Sequence, residues 1–167
     1  MKYTAAVITI SDKGSRGERV DTSGPAVRAM LEGADFDVVY TSIIPDEMDQ
    51  IQTELIKCAD ELKIGLVMTT GGTGFSRRDN APEATLDAIE RQAPGIAEAM
   101  RINGLQYTQR SMLSRGVSGI RKYTLIINLP GSPRAVRENL GYVLPALDHG
   151  IAMLVGDAAE CARPEQG

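Results

Sequence analysis

Tryptophan is absent from this 167-residue chain and phenylalanine occurs only twice. A core without large aromatic rings must be built from Val, Ile, Leu, Met and Ala, an aliphatic inventory of the α/β type. Histidine occurs once, as His149. No His-paired metal set is therefore available, a catalytic triad would depend on that one ring, and no G-x-S-x-G turn accompanies it; a helix C-terminal cap or a packing role is the better reading. The two cysteines, Cys58 and Cys161, share no close spacing with each other or with His149. That argues against a zinc site and a disulfide framework and for free thiols. Nowhere do 18 apolar residues run together, and residues 1–11 lack the layout of a leader, so the expectation is a soluble, cytoplasmic protein without a membrane partner. A net charge of −4 opposes general adhesion to nucleic acid.

What is present fits one domain, expected over residues 1–155 with a polar tail over 156–167. Ala5, Ala6, Val7, Ile8 and Ile10 form an apolar run that reads as a buried strand. Asp21 to Pro25 open a helix carrying Val27, Met30 and Leu31, closed by Gly33. Phe36 to Ile44 reads as a second strand stopped by Pro45, after which Asp46 would cap a helix with Met48, Ile51, Leu55, Ile56, Ala59 and Leu62 on one face. Leu66 to Thr70 is the third strand. Pro82 and then Pro94 with Gly95 mark two further helix starts. Residues 105–122 carry no clear period, Tyr123 to Leu129 is a fourth strand, and Ser132 with Pro133 begins a helix running to about Leu147, frayed or kinked near Pro145. Strands alternating with helices predict a mostly parallel sheet covered on both faces, a three-layer α/β/α architecture.

Such sheets bind ligands beyond the carboxyl ends of their strands. Those ends carry Ser11 with Asp12, Pro45 with Asp46, the segment T-T-G-G-T-G-F-S-R-R-D-N from Thr69 to Asn80, and Asn128 with Gly131 and Ser132. In the glycine segment, Gly71, Gly72 and Gly74 leave the main chain bare, so N–H groups can turn inward toward a phosphate. Arg77 and Arg78 can hold phosphate oxygens, and Asp79 a Mg²⁺. No Lys-Ser or Lys-Thr follows Gly74, and Arg77 stands where a dinucleotide fingerprint needs its third glycine, which excludes both familiar phosphate loops.

Asp46 and Asp79 each have a plain reading, as N-cap and turn residue, and a chemical one, as two carboxylates approaching one Mg²⁺. The roles are compatible. Asn128-Leu-Pro-Gly-Ser-Pro133 joins an amide to a fresh helix N-terminus, a second anion or ribose site, or a loop shaped for geometry alone. Ser114, Arg115, Arg121 and Lys122 are a solvated polar stretch or part of the site.

The combined wording resembles one family. T-T-G-G-T-G-F-S-R-R-D with P-E-A-T, then M-L-S-R-G, L-I-I-N-L-P-G-S-P and L-P-A-L-D-H, are similar to the molybdopterin adenylyltransferases and the G-domain of gephyrin, over nearly the whole chain. The resemblance implies a molybdopterin-binding α/β/α fold, usually trimeric, that uses ATP and Mg²⁺ to adenylylate the terminal phosphate of molybdopterin, releasing pyrophosphate. It places the metal-binding, catalytic acids at Asp46 and Asp79. It places binding positions at Ser11, Asp12, Ser23, Gly71, Gly72, Thr73, Gly74, Ser114, Asn128, Pro130, Gly131 and Ser132. A downstream metal-insertion enzyme is the implied protein partner, and a non-catalytic pterin-binding or scaffold module is the alternative. Where the family often reads Val-Thr-Pro, this chain has Asn80-Ala81-Pro82, which removes a hydroxyl beside the helix start.

Overall fold

The computed structural model describes residues 2–156. Four parallel strands, β1 (Thr4–Ile10), β2 (Asp37–Ile44), β3 (Leu66–Thr70) and β6 (Thr124–Leu129), are extended at one edge by the antiparallel β4 (Arg91–Gln92) and β5 (Ser118–Arg121), in the order β2-β1-β3-β6-β5-β4. Among the described residues the seven α-helices are α1 (Asp12–Ser15), α2 (Ser23–Gly33), α3 (Met48–Ile56), α4 (Ala81–Ala88), α5 (Pro94–Gly104), α6 (Pro133–Val143) and α7 (Leu147–Val155). β3 and β6 are buried along their whole length, which is why their apolar residues are consecutive rather than alternating. Residue parity then sorts side chains between two cores. Ala5, Val7, Leu66, Met68, Leu125 and Ile127 face α2, α5, α6 and α7. Ala6, Ile8, Val67 and Ile126 face Ile51 and Leu55 of α3 and Ala81, Ala84 and Ala88 of α4. The three-layer expectation holds. Each fully buried Leu, Ile or Val contributes about 1.5–3 kcal/mol.

Of the antiparallel edge, β5 lies where the sequence shows no period, and β4 lies between the two helices that start near Pro82 and Pro94. The β5–β6 turn, Arg121-Lys122-Tyr123-Thr124, has no Asn-Gly or Asp-Gly signal and instead forces Lys122 to a φ of +50°. β5 is four residues long and contains Gly119, where a Cβ would strike Ile89 and the Arg91 carbonyl; the bare backbone lets β4 close on it. Two helix boundaries also shift. α3 ends at Ile56 and gives way to a π-helical turn over Lys57–Glu61. α6 ends at Val143, Pro145 lies in a 3₁₀ turn, and α7 follows as a separate helix. His149 is exposed in the first turns of α7, not at a helix C-terminus and not packed, which corrects the sequence expectation. Cys58 is buried and free; Cys161 and the tail beyond Gly156 lie outside the described residues.

Candidate active site

All four parallel strands send their carboxyl ends to one rim, and a cleft of about 330 Å³ opens there. β1 supplies Ser11 and Asp12, β2 supplies Asp46, β3 supplies Thr70, Gly71 and Gly72, and β6 supplies Gly131. Ser23, in the first turn of α2, closes one side. Local chemistry fixes each piece. Ser11 caps α1 by accepting from the Gly14 N–H at 2.9 Å, and its own N–H donates to Ile44 O at 2.8 Å. Gly71 and Gly72 sit at φ values of +100° and +68°, and Gly71 passes so close to the Ile10 carbonyl that no side chain fits between them.

Asp46 is not a helix cap. Glu47 occupies the N-cap position of α3, without a side-chain hydrogen bond. The main chain of Asp46 is gripped on both sides instead: its N–H donates to Asp12 Oδ1 at 3.1 Å, and its carbonyl accepts from Asn80 Nδ2 at 3.1 Å. The side chain is 8% exposed, and Oδ1, which a Cβ on Gly72 would contact at 2.6 Å, has no hydrogen-bond partner among the described residues. Burial, followed by the charges of Asp12 and Asp79, pushes its carboxyl up to about 6. A buried carboxylate oxygen without a partner, among other carboxylates, is unstable alone and complementary to a cation.

Asp79 stands at the rim behind the turn rather than on the cleft wall. Its Oδ2 accepts from the Ser76 N–H at 2.9 Å, so the turn role is present. Among the described residues no three His, Cys, Asp or Glu side chains converge as a closed metal cage. Arg78 departs from the expectation of a phosphate ligand. It forks onto Asp12 (Nε to Oδ2 3.0 Å, Nη2 to Oδ1 2.8 Å) and reaches Glu47 Oε1 at 2.8 Å, and this pairing holds the Asp12 carboxyl below its ordinary range. Arg77 is exposed, with no ion pair among the described residues. Asn80, at the start of α4, makes no side-chain cap; its amide serves the Asp46 and Arg78 carbonyls.

The remaining candidates separate from the first cleft. Ser114, Asn128 and Pro130 line a second cleft of about 170 Å³ with Arg101, Ser111 and Asn139. The β6–α6 loop is the wall between the two, with Gly131 on the first side and Pro130 on the second. Asn128 is 1% exposed and its amide is committed within the fold: Nδ2 donates to Thr69 Oγ1 and Thr85 Oγ1, each at 2.9 Å, and Oδ1 accepts from Val117 N. Ser132 caps α6 through the Ala135 N–H at 3.2 Å. Thr73 is buried, and Gly74 packs so closely that a Cβ would lie 2.9 Å from Asp79 Oδ2.

Sequence reasoning left Arg115 undecided and did not single out Thr9 or Arg101. Arg115 donates from Nε to Gly74 O at 2.7 Å and from Nη2 to Asp79 O at 2.8 Å, and pairs with Glu83. Thr9 Oγ1 donates to Asp21 Oδ2 at 2.7 Å, while Asp21 Oδ1 accepts from the Gly24 N–H at 3.0 Å, steadying the entry to α2. The only signal for Arg115 was its place in M-L-S-R-G.

Residues 6–149 match the family model described as "Probable molybdopterin binding domain". The chain is 42% identical over 163 residues to gephyrin of Dictyostelium discoideum, which covers 92% of this chain but 23% of that longer protein. It is 41% identical over 153 residues to a molybdopterin adenylyltransferase of Helicobacter pylori, covering 90% of this chain and 87% of the relative. In three dimensions it is similar to a molybdopterin biosynthesis enzyme MoaB from Thermus, with a TM-score of 0.88, 46% identity and coverage of 92% and 97% of the two chains.

Proposed function

The chain belongs to the molybdopterin-binding domain family of molybdenum cofactor biosynthesis, and from that premise we propose that it is a molybdopterin adenylyltransferase that moves AMP from ATP to the terminal phosphate of molybdopterin. The observation that carries this reading is the buried, unpartnered Oδ1 of Asp46 set against a side-chain-free turn. The first cleft takes the magnesium nucleotide. Gly71 and Gly72 admit phosphate to the main chain, and Asp46, with Asp79 at the rim, would hold Mg²⁺. Mg²⁺ commonly takes one or two carboxylates and leaves its other positions to water and phosphate, so an open pair of acids suits it better than a closed cage. When bound, the ion neutralises charge on the phosphate chain. The second cleft, with Ser111, Ser114, Arg101 and Asn139 able to meet polar ring edges, takes the pterin.

A phosphate oxygen of molybdopterin forms its new bond to the α-phosphorus of ATP as the bond from that phosphorus to the β-phosphate oxygen breaks and pyrophosphate leaves. Such transfers ask a protein for alignment and charge compensation rather than for a nucleophile. Here the alignment comes from the grip of Asp12 and Asn80 on the Asp46 main chain and from the Gly131 wall. Asp46→Asn and Asp79→Ala should each lower pyrophosphate release in the presence of ATP, Mg²⁺ and molybdopterin by about 10²-fold or more while the chain stays folded, as judged by an unchanged far-UV circular dichroism spectrum. Near-normal turnover would remove these acids from the mechanism. Binding of both substrates to the unaltered protein without pyrophosphate release would favour the non-catalytic module.

The working unit is a homotrimer in the cytoplasm, whose product passes to a metal-insertion enzyme. Ile102 and Met112, 70% and 61% exposed near the end of α5, supply apolar surface for self-association, and the free Cys58 thiol suits a reducing compartment. No helix among the described residues is long and apolar enough to cross a membrane. Light scattering on the eluting protein should give three times the chain mass; a monomer mass refutes the assembly.

A further inference from the structure

Arg115 sits between two residues that line the second cleft, Ser114 and Gly116, yet its own groups are spent on the loop that borders the first. Its N–H donates to Thr73 O at 2.9 Å, Nε to Gly74 O at 2.7 Å, Nη2 to Asp79 O at 2.8 Å, and Nη1 meets the Glu83 carboxylate. Three carbonyls of the glycine loop and the start of α4 are thus held by one side chain and its backbone. The tripeptide is braced from the opposite side. Arg101, itself on the second cleft, donates from Nη1 to Gly116 O at 2.6 Å, and the Gly116 N–H donates to Ser114 Oγ at 3.3 Å. A guanidinium is a planar fork with fixed donor spacing, so the Gly74 and Asp79 carbonyls cannot shift relative to each other without breaking a bond to it.

Resting on the two-cleft reading above, we propose that Arg115 is a positioning residue that couples the substrates: pterin in the second cleft immobilises Ser114 to Gly116, and through Arg115 the glycine loop, so that the magnesium nucleotide binds more tightly in the first. The effect is reciprocal, since coupling between two binding sites is a single free energy. Arg115 touches neither substrate. Its contribution is to give the loop next to Asp46 and Asp79 one arrangement instead of several.

The test is calorimetric titration of the full chain with α,β-methylene ATP and Mg²⁺, a nucleotide that cannot transfer its AMP, with and without saturating molybdopterin. Amide exchange over residues 73–79 is followed with molybdopterin alone. In the unaltered protein, molybdopterin should tighten nucleotide binding by at least about five-fold and slow exchange of the loop. Arg115→Gln should bring both effects close to none while molybdopterin alone still binds. Arg115→Lys, which keeps the charge facing Glu83 but not the fork, should behave like Arg115→Gln and serves if that variant does not fold. Glu83→Gln, which leaves the fork, should retain coupling. Coupling undiminished in both Arg115 variants overturns the proposal, as does its absence from an unaltered protein that binds each ligand singly. An unaltered protein that binds neither ligand sinks the two-cleft reading and this proposal together.

Discussion

Asp46 is held in a way that works against the stability of the fold. Burial and the neighbouring carboxylates raise its folded pKa from an ordinary 3.8 to about 6. The native state therefore binds this proton more tightly than the unfolded chain, and the charged carboxylate is a penalty above about pH 6 that disappears below about pH 4. A shift of this size is worth up to about 3 kcal/mol. Asp46→Asn, which removes the charge and keeps the shape, should raise Tm near pH 7.5 in the absence of Mg²⁺, and the gain should vanish near pH 4. A gain that does not depend on pH would mean that the charge is not the cause. The position of Asp46, just past a strand end, was readable from Pro45 and the apolar run before it. Its surroundings were not, because Asp12 and Asn80, which grip its main chain, and Gly72, which faces its Oδ1, all come from other parts of the chain. Arg78 fails as a sequence-based phosphate ligand for the same reason: two carboxylates from other strand ends reach it first.

Elements were legible where apolar residues were consecutive or followed a helical period, as in β1, β3, β6 and α2. They were illegible at the β4–β5 edge, where strands of two and four residues are too short to show alternation and the turn at Lys122 carries no local signal. The glycine turn after β3 lies between these cases, with its composition plain and its geometry set by β1. Gly71→Ala would place a methyl group against the Ile10 carbonyl at a φ of +100°. The backbone strain alone is about 1–3 kcal/mol, and the collision adds to it. Urea unfolding should show a loss of at least that size together with weakened nucleotide binding. A neutral result would mean that the turn can shift freely and does not define the phosphate position.

At the scale of the molecule, the sheet makes the site by ending together. Four strands with parallel registers stop at one rim, while the two cores on either side fix their separation, so groups more than a hundred residues apart in sequence, such as Ser11 and Gly131, share a wall. The architecture was predictable from strand–helix alternation. The division of the rim into two chambers was not, because Asn128, Pro130 and Gly131 are close neighbours in the chain and only the turn of the backbone sends them to opposite sides.

That thin partition bears on kinetics. On the proposed assignment of one reactant to each side of the β6–α6 loop, the two would not compete for one position, and the transferred group need never be parked on the protein. Initial-rate plots against each reactant should intersect to the left of the ordinate, with either reactant able to bind first. Parallel lines, the mark of a covalent relay through a side chain, would contradict the layout.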